Sequence, residues 1–309
     1  FPNAFPDDLL LYKNMEPIQT LVDQSDLTKN ITDESIRFIE ENKDNQFFLY
    51  IAHPQPHVPL FASKDFDGST GEGLFADVIT EIDFSVGRVL DALEKYNLTE
   101  NTVVVFTSDN GPWLSYGDHA GSSGIYREGK GTAWEGGQRV PCIIKYPSQI
   151  KAGTVIDEPV MGIDWMPTFS GLTGSNLSDN KIDGKDIWPL ITQKETKSPH
   201  EELYFYYRQN ELHAVRSGDW KLYFPRTYRS LNGNPGGTNG MPVKYEYNEV
   251  KSNELYNLKN DPSEQNNVYD ENIEIVKKLE DIGERARNEL GDKLTSRIGE
   301  GVREIGMID

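Results

Sequence analysis

The sequence predicts an α/β sandwich followed by a smaller antiparallel sheet with one covering helix. Three observations carry this. Short apolar runs of strand length at 46–52, 103–106 and 143–146 alternate with helical patterns at Leu74–Lys95 and 164–172. No hairpin turn separates those runs, which implies parallel pairing through helical crossovers. From about residue 200 the texture changes to short strands joined by turns, ending in one amphipathic helix. The predicted boundaries are 1–199 for the α/β part and 200–309 for the antiparallel part.

Each element has a local reason. Residues 1–30 are polar and read as irregular. Thr32 is a good N-cap, with Asp33 and Glu34 in the first turn and Ile36 and Ile39 marking one face of a short helix. Residues 46–52 (QFFLYIA) are aromatic and β-branched, and their length favours a buried strand. The following HPQPHVPL cannot continue a strand or a helix and must be a loop. In Leu74–Lys95, Phe75, Val78, Ile79, Ile82, Val86, Val89, Leu90 and Leu93 recur at helical spacing. Residues 103–106 form a second strand that runs into TSDNG, and 143–146 a third after Pro141. Ligands in open α/β sheets sit beyond the carboxyl ends of strands. The loops 53–60 and 107–113 both fall there.

In the second part, Leu203–Tyr207, 214–215 and 220–224 read as strands, with Ser217-Gly218-Asp219 as a turn. Residues 230–242 (SLNGNPGGTNGMP) are a loop, 254–258 another strand, and 271–290 a helix carried by Ile273, Ile275, Val276, Leu279 and Ile282. No internal repeat is present.

Composition limits the function. The 309 residues carry a net charge of −19 and are 36% hydrophobic. That is enough apolar material for a core, and it excludes a wholly disordered acidic chain. The charge argues against a general nucleic-acid binder, which needs a basic footprint. The single cysteine, Cys142, excludes an intrachain disulfide framework, and its strand context reads as a buried core position. No run approaches the ~20 apolar residues of a membrane span. The opening FPNAFPDD has no basic flank followed by an apolar stretch, so it is no signal peptide. It begins with Phe rather than Met, so a processed product or fragment is expected.

Three clusters can carry chemistry. Asp109-Asn110-Gly111 offers two hard oxygen ligands suited to Ca²⁺ or Mg²⁺, beside a glycine that permits a tight turn. The other reading, and the commoner one for the tripeptide alone, is an ordinary Asp-Asn-Gly turn. In Pro56-His57-Val58-Pro59 two prolines stiffen the loop around an imidazole that can donate to an anion or protonate a leaving group. The alternative is a loop histidine bonded to local backbone. His53 reads as structural or as a rim residue. Gly129-Lys130-Gly131-Thr132 puts a cation between glycines, where it can approach an anion closely, although the spacing is not that of a P-loop. Glu135 and Arg139, four residues apart, can simply pair.

The order FLYIAHPQPHVP, long helix, TVVVFTSDNGP, GKGTAWEGGQRVPCIIKYP resembles the sulfatase family of the alkaline-phosphatase superfamily. It is most similar to the arylsulfatase and N-acetylgalactosamine-6-sulfatase branch. The resemblance spans residues 46–191 and is most specific through 101–147. HAVRSGDWKLYF and ELYNLKNDPSEQNNV resemble the family's C-terminal subdomain. The resemblance implies an alkaline-phosphatase-like fold. Asp109 and Asn110 match divalent-metal ligands, with Ca²⁺ expected rather than Mg²⁺. His57 matches the histidine that contacts the sulfate and protonates the leaving alcohol, and Lys130 the lysine that holds a sulfate oxygen. Within YFYYRQNELH, the resemblance sets Arg208 and His213 near a pocket rim, where aromatics can stack on a sugar and Arg208 can meet a second anion. The other reading of that stretch is an ordinary strand.

The departure from the family is the nucleophile. Sulfatases use a formylglycine made in a C/S-x-P-x-R motif, and neither version occurs in the 309 residues. The family's early pair of metal aspartates is missing as well. The resemblance therefore implies the C-terminal portion of a longer sulfatase, whose missing N-terminal segment carries the formylglycine, and a chain inactive by itself. The expected substrates are sulfated carbohydrates or aryl sulfates, and the family implies an exported or lysosomal location. Two other readings are a phosphoesterase or phosphonate hydrolase of the same superfamily, and a non-catalytic relative that binds sulfated glycan. Three glycosylation sequons start at Asn30, Asn97 and Asn176.

Overall fold

A computed structural model describes residues 9–20, 23–177 and 179–303. The FPNAFPDD opening and Ser178 of the third sequon lie outside the described residues. The chain divides into two compact units. The first comprises residues 1–103, 115–121 and 235–243, and the second 104–114, 122–234 and 244–309.

The first unit opens with a hairpin where irregular chain was expected. β1 (Leu10–Lys13) pairs antiparallel with β2 (Glu16–Thr20), and Asn14 at φ 56° turns the chain. Both strands are largely exposed, so no buried face wrote an alternating pattern into the sequence. Helix α1 (Leu27–Asn42) begins before Thr32. Thr32 is inside the helix, buried, with its hydroxyl 2.7 Å from Thr28 O and 2.5 Å from Ser85 Oγ. A threonine hydroxyl can satisfy itself on the preceding turn as well as at a cap, which is why the cap signal misled by about a turn.

Helix α2 (Leu74–Lys95) has the predicted bounds and buries Val78, Ile82, Ser85, Ala92 and Leu93. Its Asp77 carboxylate accepts from the amides of Gly68 and Thr70 (both 3.0 Å), and Glu81 accepts from Ser63 N (2.8 Å). These two buried acids tie the loop after the proline-rich segment to the helix. Residues 46–52 form no strand among the described residues, and Phe48 and Tyr50 are 72% and 79% exposed. An apolar run becomes a strand only when another strand completes its backbone hydrogen bonds, and composition cannot report that partner.

In the second unit β3 (Val104–Thr107) is followed by the short helix α3 (Glu135–Gln138) and by β4 (Cys142–Lys145). The two strands pair antiparallel, with Val105 opposite Ile144, where parallel pairing was expected. The connection from 108 to 141 is long enough to return in either direction, so the missing hairpin turn did not imply a crossover. The pair is two-stranded among the described residues, and Cys142 is exposed on it rather than buried in a core. Helix α4 (Trp165–Thr173) and the short α5 (Trp188–Ile191) follow. The fully buried Asp164 before α4 accepts from Met161 N, Lys185 N and His200 Nε2 at 2.7–2.9 Å.

Strands β5 (Leu203–Tyr207), β6 (Glu211–Ser217) and β7 (Trp220–Tyr223) form the expected antiparallel meander, with Gly218 at φ 58° in the β6–β7 turn. β8 (Arg226–Ser230) and β9 (Glu246–Val250) make a separate ribbon, and β10 (Glu254–Asn257) joins β7. The ribbon was not foreseen, because RTYRS and EYNEV carry no apolar alternation. Helix α6 (Ile273–Leu290) lies on one face of the β10-β7-β6-β5 sheet. Val276, Leu279, Ile282 and Ala286 pack there on Leu212, Val215, Leu222, Phe224 and Leu255. The other face carries Ala214, Tyr223 and Tyr256 against Trp134. Strand alternation thus feeds two cores at once: Leu222 and Leu255 face the helix, while Tyr223 and Tyr256 face Trp134. No helix among the described residues is long and apolar enough to cross a membrane.

Candidate active site

Asp109, Asn110 and Gly111 leave the carboxyl end of β3. Asp109 is exposed and Asn110 half-buried. The Asn110 amide donates to Gly111 O (3.0 Å), which leaves Oδ1 as its acceptor. Gly111 donates its amide to Gly137 O (3.1 Å), and Lys130 donates its amide to Pro112 O (2.9 Å). Two backbone bonds therefore dock the Asp-Asn loop onto the lysine loop. Glycines make the approach possible: a Cβ on Gly111 would stand 1.8 Å from Gly136 O, and one on Gly129 would stand 2.3 Å from Pro112 O. Lys130 is half-buried, with Nζ 5.0 Å from the centre of the Trp113 ring.

The lysine loop is held from behind by a buried polar network. Lys221, on β7, is completely buried and donates to Ala133 O (2.7 Å) and Glu135 Oε1 (2.8 Å), with Glu264 Oε1 at 3.6 Å. Glu264 Oε2 accepts from Glu135 N (2.8 Å), and the Tyr223 hydroxyl reaches both Glu264 Oε1 and Ala133 O. Arg127 donates to Glu264 O (2.9 Å) and lies 3.7 Å from the Trp134 ring centre. Burial works to raise the Glu135 carboxyl, but Lys221 together with Arg216 and Arg139 outweighs it and holds the group below its ordinary value. In Glu264 burial prevails over Lys221, and the carboxyl is raised. The sequence showed Lys221 as a lone charge within WKLYF and Glu264 as one of two acids within DPSEQNN. A charge amid strand-forming aromatics is the signal that could have marked Lys221.

His57 belongs to the first unit, whereas Asp109, Asn110 and Lys130 belong to the second. Its imidazole is exposed, its amide donates to Pro54 O (3.1 Å), and Nδ1 lies 2.7 Å from Val58 O. That carbonyl assigns the proton to Nδ1 and makes Nε2 the basic nitrogen. His53 Nε2 meets Ser85 Oγ at 3.2 Å, and burial holds its pKa below the ordinary value, which suits a structural role. Arg208 is exposed in the β5–β6 turn, 5.3 Å from the Tyr247 ring centre. His213 is fully buried, with Nε2 at 3.1 Å from Glu211 Oε2. No hydrogen bond, ion pair or ring contact among the described residues joins Arg208 or His213 to Asp109, Asn110 or Lys130.

Asp109 and Asn110 fit a hard divalent cation in type, as carboxylate and amide oxygens. Two oxygens are fewer than such an ion requires, and no group of three or more His, Cys, Asp or Glu side chains among the described residues is arranged to hold a metal.

The docked Asp-Asn and lysine loops lie in the same compact unit as the antiparallel sheet and its covering helix. The sulfatase family model matches residues 4–175, and the model for the C-terminal region of aryl-sulfatase matches 198–301, so the chain belongs to the sulfatase family. It is 39% identical to the steryl-sulfatase of Homo sapiens over 247 residues, covering 76% of this chain and 42% of that protein. A solved sulfatase, PsFucS1 from Pseudoalteromonas sp., superposes with a TM-score of 0.77 at 25% identity, covering 87% of this chain and 54% of the other. A structure described under the metabolism of multiple glycosaminoglycans by Bacteroides thetaiotaomicron gives a TM-score of 0.73 at 29% identity, covering 87% and 56%. The fold is thus the alkaline-phosphatase-like fold of sulfatases. The chain spans about half the length of the relatives it matches.

Proposed function

We propose that the whole enzyme carrying this chain hydrolyses sulfate monoesters, with a sulfated carbohydrate as substrate. The observation that carries the reading is the docking of the Asp109-Asn110 loop onto the Lys130 loop in a chain of the sulfatase family. Lys130 binds a sulfuryl oxygen and offsets the charge that builds there in the transition state. Asp109 and Asn110 contribute two oxygens to a Ca²⁺ site, and the bound ion would supply further positive charge against the sulfuryl group. His57 Nε2 takes up a proton and delivers it to the leaving alcohol oxygen. The chain holds no C/S-x-P-x-R sequence, so the formylglycine nucleophile comes from outside these 309 residues.

The carbohydrate reading is supported by the neighbour associated with glycosaminoglycan metabolism. It is supported too by the exposed pair of Arg208 and Tyr247, a cation and a ring suited to an anionic sugar. The similarity to steryl-sulfatase favours a sterol sulfate as the competing substrate.

The test is an assay of the whole enzyme and of this chain alone, with Ca²⁺, on a sulfated disaccharide, steryl sulfate, an aryl sulfate and a phosphate monoester. The expected result is turnover of sulfated sugar by the whole enzyme and none by the chain alone. Lys130→Ala and Asp109→Ala should each lower kcat/KM roughly 100-fold or more. Turnover by the isolated chain, or preference for the phosphate ester, would overturn the proposal.

A further inference from the structure

We infer that Arg229, on the β8–β9 ribbon, is a positioning residue that aims Lys130 through its main chain. The inference rests on the reading that Lys130 holds the sulfuryl group. Arg229 directs both Nε (3.1 Å) and Nη2 at one acceptor, the carbonyl oxygen of Lys130. The Lys130 amide is bound on its other side to Pro112 O (2.9 Å). Both backbone polar groups of Lys130 are therefore occupied, the N–H by the loop that carries Asp109 and Asn110, the C=O by the C-terminal ribbon. A lysine has four rotatable side-chain bonds, so the reach of its ammonium is narrowed only if its root is fixed.

The neighbouring sequence is shaped around the guanidinium. Gly131 has φ 85°, and a Cβ there would stand 2.3 Å from Arg229 Nη2 and 2.4 Å from Cζ. Glycine is thus required twice, for the left-handed backbone and for the space the guanidinium fills. Two rings bracket the arginine: its Cζ is 4.6 Å from the Tyr245 ring centre and 5.9 Å from that of Trp113. Trp113 is also the ring beside Lys130 Nζ, at 5.0 Å. One indole therefore borders both cations, three residues beyond Asn110. A planar, permanently charged fork suits this role, because it can donate two bonds to one oxygen while stacked on a ring.

The ribbon thereby has a use that its polar sequence did not advertise. It carries one arginine to the back of the lysine loop.

The test is a double-mutant cycle in the whole enzyme, with kcat and KM measured on a sulfate ester and folding followed by thermal melting. Lys130→Ala alone tests the underlying reading: wild-type kinetics in that variant would remove the role of Lys130 and this inference with it. Given a loss there, Arg229→Met should lower kcat about 10- to 100-fold with little change in KM, the effect of a misplaced group rather than a missing contact. Arg229→Gln, which can still donate one bond to the carbonyl, should recover part of the loss and remains informative if Arg229→Met fails to fold. In the Lys130→Ala background, either Arg229 variant should cost less than about threefold more, because its effect passes through the lysine. An equal fold-loss in both backgrounds, or wild-type kcat in a folded Arg229 variant, would overturn the inference and leave the role of Lys130 intact.

Discussion

At the scale of single residues, the second unit is organised by charges that have left water. Lys221 is the clearest case: it has no exposed surface and touches Ala133 O, two carboxylates and the Phe205 ring, whose centre is 4.0 Å from Nζ. Removing one partner of a buried ion network leaves the others desolvated and unpaired, which costs more than the network contributes. Lys221→Met should therefore destabilise the second unit by about 3–5 kcal/mol, read from the urea midpoint. A loss below ~1 kcal/mol would mean that water reaches Glu135.

His213 gives a pH test at the same scale. Burial, the largest cause, holds its imidazole below its ordinary value, against the pull of Glu211. A histidine depressed in the folded state takes up its proton first in the unfolded chain. Its contribution to stability is thus complete above about pH 6.5 and is lost as pH falls below that. Melting temperature should fall between pH 7.5 and 5.5, and His213→Gln should flatten that slope. An unchanged slope in the variant would assign the effect to other groups.

At the scale of elements, the sheet β10-β7-β6-β5 is stable because its two faces are covered differently. One face is sealed by α6 with aliphatic side chains and the other by Trp134 with aromatic ones. The helix docks closely at Gly283, where a Cβ would stand 2.3 Å from the Phe224 ring. Leu279 is 1% exposed at the centre of this interface. Leu279→Ala should cost about 2–5 kcal/mol, with the spread set by how far α6 can settle into the cavity. Chemical denaturation of the chain measures it, and a cost under ~1 kcal/mol would show that the helix is not held by this face.

The elements legible in the sequence were those with a strong periodic signal. Leu74–Lys95 and β5 have the predicted bounds, and α6 differs only at its first turn. The hairpin β1–β2 and the ribbon β8–β9 were not legible, because backbone pairing with little buried apolar surface leaves no periodic trace.

At the scale of the whole molecule, the charge of −19 is awkward for the proposed hydrolysis of an anionic ester. The answer is local. Lys130, Arg127 and Arg229 are gathered around the loop that docks on Asp109 and Asn110, so the field that matters is set within a few ångströms and not by the sum over the surface. The candidate site was partly legible for the same reason. Residues whose chemistry must be present as a given type, such as Asp109, Asn110, Lys130 and His57, stand out in short motifs. Residues that act through a backbone carbonyl, such as Arg229, or through a buried network, such as Lys221 and Glu264, stand a hundred or so positions away from what they hold. Apart from the aromatics around Lys221, their own neighbourhood does not mark them.

By itself, the sequence determined the family resemblance, the α/β character, the principal helices and the chemical types available to a site. It also determined what is absent from these residues, a C/S-x-P-x-R nucleophile. Only the tertiary structure decided that β3 and β4 run antiparallel, that Cys142 is exposed and His213 buried, and that an arginine from the C-terminal ribbon backs the lysine loop. The physical reason is range. Periodicity and motif chemistry are properties of neighbours along the chain, whereas strand direction, burial and the satisfaction of a carbonyl depend on which distant segments meet.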